Sequence, residues 1–274
     1  MVLIIPVVLM LFGCKSEQQI PKTKYSAYPL EKPNTTSKDG KWVISFNNNL
    51  HCPVTFRSNL DHQALAAHFP VTVNPLTTHE ISIDTLSLSR KDLKQFTYGY
   101  TIGNPNATVE SKPVSLPFLP GRSFKILQGH NGSFSHQSEY SKYAVDFDLQ
   151  VGDTICAAAD GVVVGLIDKY ERGGNDRRLR DYANFITIFH PTANYFSQYV
   201  HLRLDGALIN VGDTVVQNQP IGISGNTGFS GGPHLHFNIL VIKSTGDNLK
   251  SFPVDFIDGY KGGALKKGDI VRKQ

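Results

Sequence analysis

Apolar and polar positions alternate with a period of two along much of the chain, the signature of half-buried β-strands. From Lys41 to about Pro113 the runs are short: Trp42, Ile44 and Phe46; Phe69, Val71 and Val73; Ile81 and Ile83; Phe96, Tyr98, Tyr100 and Ile102. Turn clusters such as Asn47-Asn48-Asn49 and Gly103-Asn104-Pro105-Asn106 separate them, so residues 41–113 are expected to form a small β-sandwich-like accessory domain. The stretch from Pro113 through Pro117-Phe118-Leu119-Pro120 has the composition of a linker, which predicts that a second domain, over 119–262, folds by itself. There glycine becomes frequent and strand-like segments follow closely, at 143–149, 161–167, 185–189, 195–200, 214–216 and 237–242. The expected fold class is therefore mainly β, a compact antiparallel β-sheet domain preceded by a small sandwich. Val151-Gly152-Asp153-Thr154 recurs as Val211-Gly212-Asp213-Thr214, read as repeated turn chemistry rather than a duplicated domain.

Ahead of the sandwich, residues 2–13 form an uncharged apolar run that stops at Cys14 and the polar Lys15-Ser16-Glu17-Gln18. Twelve residues are too few to span a bilayer but suit the apolar part of an export signal. The ending Leu11-Phe12-Gly13-Cys14 resembles a bacterial lipobox, which implies lipidation of Cys14 after a signal over 1–14. A plain secretory signal and an amino-terminal membrane anchor are the alternatives. Residues 15–40 are polar, with Pro21, Pro33 and Gly40, and read as a flexible tether. The expectation is an exported, membrane-anchored lipoprotein of the bacterial cell envelope. Charge narrows the partners: 27 basic against 23 acidic residues, with no long basic run, argues against nucleic acid. Cys52 and Cys156 fall in different predicted domains, and their spacing indicates no bridge.

Candidate chemistry is concentrated in the second domain. Gly231-Gly232-Pro233-His234-Leu235-His236-Phe237 opens an apolar run, so on a strand His234 and His236 share one face while Leu235 and Phe237 take the other. Upstream, Tyr143-Ala144-Val145-Asp146-Phe147-Asp148-Leu149 puts Asp146 and Asp148 on one polar face, after a loop carrying His136. Two histidines and one carboxylate would leave a fourth zinc position for water, as hydrolytic zinc requires. His51, His62, His68 and His79 are irregularly scattered and show no ligand pattern, and His190, before Pro191, reads as a turn residue at a sheet edge.

His136 with Tyr143-Ala144-Val145-Asp146-Phe147, then Ala158-Ala159-Asp160-Gly161-Val162-Val163, Tyr199-Val200-His201-Leu202, Gly225-Asn226-Thr227-Gly228 and His234-Leu235-His236-Phe237, resemble in residue type and order the lysostaphin and LytM-type zinc metalloendopeptidases, from about Gln128 to Val241. The resemblance implies a peptidase domain in which His136, Asp146 and His236 bind Zn²⁺ and His201 and His234 are catalytic without being ligands. It implies peptidoglycan peptides as substrate, stem peptides or cross-links, beside the membrane contact expected from the lipid anchor. Nine residues separate His136 from Asp146 where many members have three, so His130 is the alternative first ligand, and Asp148 the alternative carboxylate.

The segment 169–181 carries Arg172, Arg177, Arg178 and Arg180. It reads as a solvated loop; lining a groove, it would offer guanidinium groups to substrate carboxylates. Two further readings stand beside the enzyme. One is a non-enzymatic wall-binding or hydrolase-activating regulator, against which every ligand position is filled. The other is a lipoyl- or biotinyl-type carrier, against which no suitably flanked lysine occurs at the Val-Gly-Asp turn.

Overall fold

A computed structural model describes residues 20–243 and 248–274. The apolar run, its lipobox-like ending and Cys14 lie outside the described residues. Among the described residues no helix is long and apolar enough to cross a membrane.

The molecule is mainly β and its sheets are antiparallel apart from one two-residue parallel pairing. The central sheet has nine strands in the order Thr214–Val215, Gly161–Ile167, Phe185–His190, Tyr195–Val200, Leu235–Ile242, Val145–Phe147, Ser123–Gln128 and Ile270–Arg272, with Leu249–Phe252 also paired to Leu235–Ile242. A second sheet of Leu202–Ala207, Pro220–Ser224 and Thr154–Cys156 lies against it. Ile155, Leu202 and Ile221 from the small sheet meet Val145, Phe147, Ile186, Ile188, Tyr199, Leu235 and Phe237 from the large one in a single core. Strand alternation explains the membership, because every second residue of Leu235–Ile242 points into this core.

The first region is built from two three-stranded sheets, Asn34–Lys38, Lys41–Asn48 and Thr77–Asp84 in one, Val71–Val73, Val54–Ser58 and Tyr98–Ile102 in the other. Their inner faces share Trp42, Ile44, Phe46, Val54, Phe56 and Ile102, and the same cluster takes in Val164, Phe189, Phe196 and Leu240 of the central sheet. The first region thus packs on the face of the central sheet opposite the core just described. This explains why residues 239–242 are apolar on consecutive positions: both faces of that strand are covered.

Two segments differ from their composition. Within 113–120, Val114, Leu116 and Phe118 are fully buried, with Val114 bridged to Phe256 and Phe118 to Ile155. Apolar residues at every second position dock this stretch, although the prolines between them suggest a linker. Within 15–40, residues 34–38 form an edge strand against Lys41–Asn48. Tyr25 packs edge-on to Tyr170, and the Tyr28 hydroxyl donates to Thr187 Oγ1 at 2.8 Å. Tyrosines give this otherwise polar segment apolar area to bury. The central sheet also extends past residue 262, through Ile270–Arg272. Cys52 and Cys156 are free and buried; Cys52 belongs to the core of the first region, and Cys156 lies on the strand Thr154–Cys156 of the second.

A chain beginning at Leu119 would lose Val114, Leu116 and Phe118, and would expose Val164, Phe189, Phe196 and Leu240 to water. Buried side chains of this size stabilise by about 1.5–3 kcal/mol each, while whole domains are stable by only about 5–15 kcal/mol. The truncated chain should therefore be insoluble or melt without cooperativity, whereas a chain beginning at residue 20 should melt in one transition. Soluble expression and a sharp thermal melt of the 119–274 piece would show that the second sheet stands alone.

Candidate metal and catalytic centre

Cross-strand register builds the site. His236 lies on the strand Leu235–Ile242, directly opposite Asp146 on one side and Val200 on the other, and Asp146 is in turn opposite Gln128. Leu235 and Phe237 enter the core, so His236 and Asp146 emerge together on the opposite face. His136 reaches the same place from the loop between Ser123–Gln128 and Val145–Phe147. That loop is closed by backbone bonds from Asn131 N–H to the Lys142 carbonyl (2.6 Å) and from His136 N–H to the Gly132 carbonyl (3.1 Å). The nine residues after His136 therefore do not carry it away from Asp146; they turn it back.

The three donor atoms converge. Asp146 Oδ1 is 2.9 Å from His236 Nδ1 and 3.1 Å from His136 Nε2, and the two histidine nitrogens are 3.2 Å apart. His136 Nδ1 faces the Gly129 carbonyl at 2.9 Å; a carbonyl only accepts, so Nδ1 holds the proton and Nε2 offers its lone pair to the cluster. Ligands at ordinary zinc bond lengths on a tetrahedron would stand roughly 3.3 Å apart. The donor set, its spacing and its burial therefore fit a zinc-sized cation. Among the described residues this is the group of histidine, cysteine or carboxylate side chains able to hold a metal. Burial alone would raise the Asp146 carboxyl, but its contacts with His136 and His236 hold it well below the usual carboxylate range.

The other two histidines stand beside this cluster. His234 Nε2 is 4.0 Å from Asp146 Oδ1, and its ring lies 4.5 Å from that of His201. His234 Nδ1 contacts the Gly232 carbonyl at 2.8 Å and the Ser230 hydroxyl at 3.3 Å, and His201 Nδ1 contacts the Thr227 carbonyl at 2.6 Å. Each is thus held as the tautomer with a free Nε2. Burial, followed by the neighbouring His234, pushes the His201 imidazole well below its usual range. His201 also has φ +72, in the left-handed region that favours glycine. Its backbone N–H is anchored on the Asn184 carbonyl at 2.9 Å, while the Asn184 amide holds the carbonyls of Tyr170 and Arg203.

All five residues expected from the sequence are brought together, and the alternatives are not. His130 packs against Tyr143 instead. Asp148 lies beyond the end of Val145–Phe147 and accepts from Gln150 Nε2 at 2.9 Å. His190 is no edge residue: it closes an inner strand, contacts the Asp160 carbonyl and Ser197 Oγ, and is pushed down to about 4 by burial. The arginines of 169–181 are exposed, and Arg178 pairs with Asp176. Their loop is nevertheless stitched to the site, since Gly173–Gly174 pairs in parallel with Gly228–Phe229. Gln128, Asn184 and Thr227 support the site without carrying a sequence signal of their own, although Thr227 sits inside the glycine-rich motif.

Residues 140–250 match the model of peptidase family M23. The peptidoglycan DD-endopeptidase ShyA of Vibrio cholerae is 36% identical over 138 residues, which are 48% of this chain and 26% of that protein. Lysostaphin of Staphylococcus simulans is 31% identical over 127 residues, 45% of this chain and 23% of that protein. The solved structure of lysostaphin from the same organism aligns over 45% of each chain at 28% identity, with a TM-score of 0.33. The chain spans about a quarter of the length of these two curated relatives. The matched segment contains Asp146, His201, His234 and His236, and the chain carries a peptidase family M23 domain, homologous to lysostaphin and the LytM-type peptidoglycan endopeptidases.

Proposed function

We propose that this protein is a zinc-dependent endopeptidase that hydrolyses peptide bonds of bacterial peptidoglycan, in stem peptides or cross-links. The observation that carries the proposal is the convergence of His136, Asp146 and His236 within hydrogen-bonding distance of one another, beside two histidines of fixed tautomer. The peptidoglycan substrate is taken from the relatives, among them a DD-endopeptidase and a glycyl-glycine endopeptidase of Staphylococcus capitis. A regulator without activity would not need the complete set, and all five positions are filled here.

His136, Asp146 and His236 would hold the metal. Zinc bound there would supply Lewis-acid polarisation of the peptide carbonyl and make water acidic near neutral pH. The chain's own contribution is proton handling and orientation. With Nδ1 protonated, Nε2 of His201 and of His234 is free to take a proton from water. The resulting imidazolium can stabilise developing negative charge and return the proton to the leaving amine. Backbone carbonyls of the glycine-rich segments keep both rings from flipping, so neither group spends energy on reorientation during the reaction.

We also propose that the protein is exported and lipid-anchored, supported by the apolar run ending in Leu11-Phe12-Gly13-Cys14. Cys14→Ser should move the protein from the membrane to the soluble fraction and block lipid labelling; unchanged fractionation and processing would discard the anchor.

The two kinds of histidine separate by experiment. His136→Ala and His236→Ala each remove a ligand and should lose zinc and activity together. His201→Ala and His234→Ala should keep a full equivalent of zinc and lose about 10²–10⁴ in turnover. Atomic absorption on the purified variants, alongside cleavage of purified peptidoglycan followed by mass spectrometry of the fragments, checks both. Zinc loss in His234→Ala equal to that in His236→Ala would move His234 among the ligands, and full activity in all four variants would end the enzymatic reading.

A further inference from the structure

We infer that Gln128 is the positioning residue of this centre: its side-chain amide fixes Asp146 and, at the same time, the loop that delivers His136. The inference rests on the metal site proposed above and names a residue outside the five already assigned.

Gln128 ends the strand Ser123–Gln128, directly across from Asp146, after an irregularity in the register at Ile126 and Gln128. It is 8% exposed, and all of its hydrogen-bonding capacity is directed inward. Nε2 donates to Asp146 Oδ2 at 3.0 Å and to Ser135 Oγ at 2.9 Å, and Oε1 accepts the N–H groups of Phe134 and Ser135 at 2.9 and 3.2 Å. Asp146 Oδ2 is thereby engaged, so Oδ1 is the oxygen presented to His136 and His236. The same amide grips the two residues immediately before His136. One planar group thus relates a carboxylate on one strand to a histidine ten positions earlier on a long loop. Gly132 closes over it: a Cβ there would overlap Gln128 Cγ, so the loop backbone lies directly on this side chain.

Neutral glutamine suits the role better than a charged residue. Lysine would neutralise the carboxylate and weaken it as a ligand, and glutamate would repel it. An amide orients the oxygen and leaves the charge for the metal.

Partners of metal ligands of this kind typically contribute about 10–100-fold in metal affinity. Gln128→Met, of similar length and without hydrogen bonds, should therefore weaken zinc binding by about 10–100-fold in competition with a chromogenic chelator. The full chain with metal removed is the sample. If Gln128 acts in part through Asp146, the same substitution in an Asp146→Ala background should weaken zinc binding by clearly less than in the unaltered background, because only its hold on the His136 loop is then left to lose. A purely structural role would instead weaken zinc equally in both backgrounds, or lower only the melting temperature of the zinc-free chain, and either result overturns the inference. Should Gln128→Met fail to fold, Gln128→Glu decides by the same pair of measurements. It keeps an oxygen for the Phe134 and Ser135 amides and removes the donor to Asp146; wild-type zinc affinity in it overturns the inference. Failure of the metal reading is distinct: the unaltered protein would then bind no zinc, and His136→Ala would change nothing.

Discussion

The site depends on one row of cross-strand neighbours, Val200, His236, Asp146 and Gln128, drawn from four adjacent antiparallel strands. Because side chains alternate, a slip of one residue in the strand Leu235–Ile242 would send His236 into the core and put Leu235 or Phe237 on the polar face. The core forbids that slip, since Leu235, Phe237, Ile239 and Val241 are all needed to fill it. Hydrophobic packing on one face thus sets the position of the polar chemistry on the other. His236 and Asp146 inherit their alignment from residues buried on the other face of their strands.

The second face of the same strand is divided along its length. His236 serves the site, Asn238 donates to the Tyr140 carbonyl at 2.6 Å, and Leu240 belongs to the core shared with the first region. Gln198, paired opposite Asn238, accepts from the Tyr140 hydroxyl at 3.0 Å. A polar belt therefore separates the centre from the packed interface. The first region is in this sense part of the central sheet's support: it covers apolar area that would otherwise lie open within two residues of the belt. That region cannot be removed without changing the solvent exposure of the strand that carries His236.

Much of the site was legible because period-two alternation and side-chain chemistry are local. His234 and His236 on one face, Asp146 turned away from Val145 and Phe147, and the glycine-rich approach to His234 all follow from residue order. The small sandwich was legible for the same reason. What could not be read is what depends on partners distant in sequence. Gln128 has no marker, since its role comes from the register with Asp146, and Asn184 is known as an anchor of His201 only once the chain folds back. The docking of 113–120 was hidden because proline frequency and burial point in opposite directions there. Residues 20–40 misled in the same way, since Tyr25 and Tyr28 find partners on the second domain. His190 before Pro191 looked like a turn residue, yet it is buried with both ring nitrogens engaged, which a sequence cannot display.

The division of labour among the histidines comes down to which ring nitrogen a backbone carbonyl occupies. Gly129, Thr227 and Gly232 place their carbonyls on Nδ1 of His136, His201 and His234, and in each case the proton must sit on Nδ1, leaving the Nε2 lone pair of the neutral ring available. His236 is the exception, turning Nδ1 itself toward Asp146. Backbone carbonyls are suited to this because they only accept and carry no net charge, so they orient the neutral ring without adding an ion beside it. Three of the four histidines are therefore tuned by segments whose side chains contribute little. The glycine-rich loops around the site are required less for flexibility than for bringing peptide oxygens within reach of these rings.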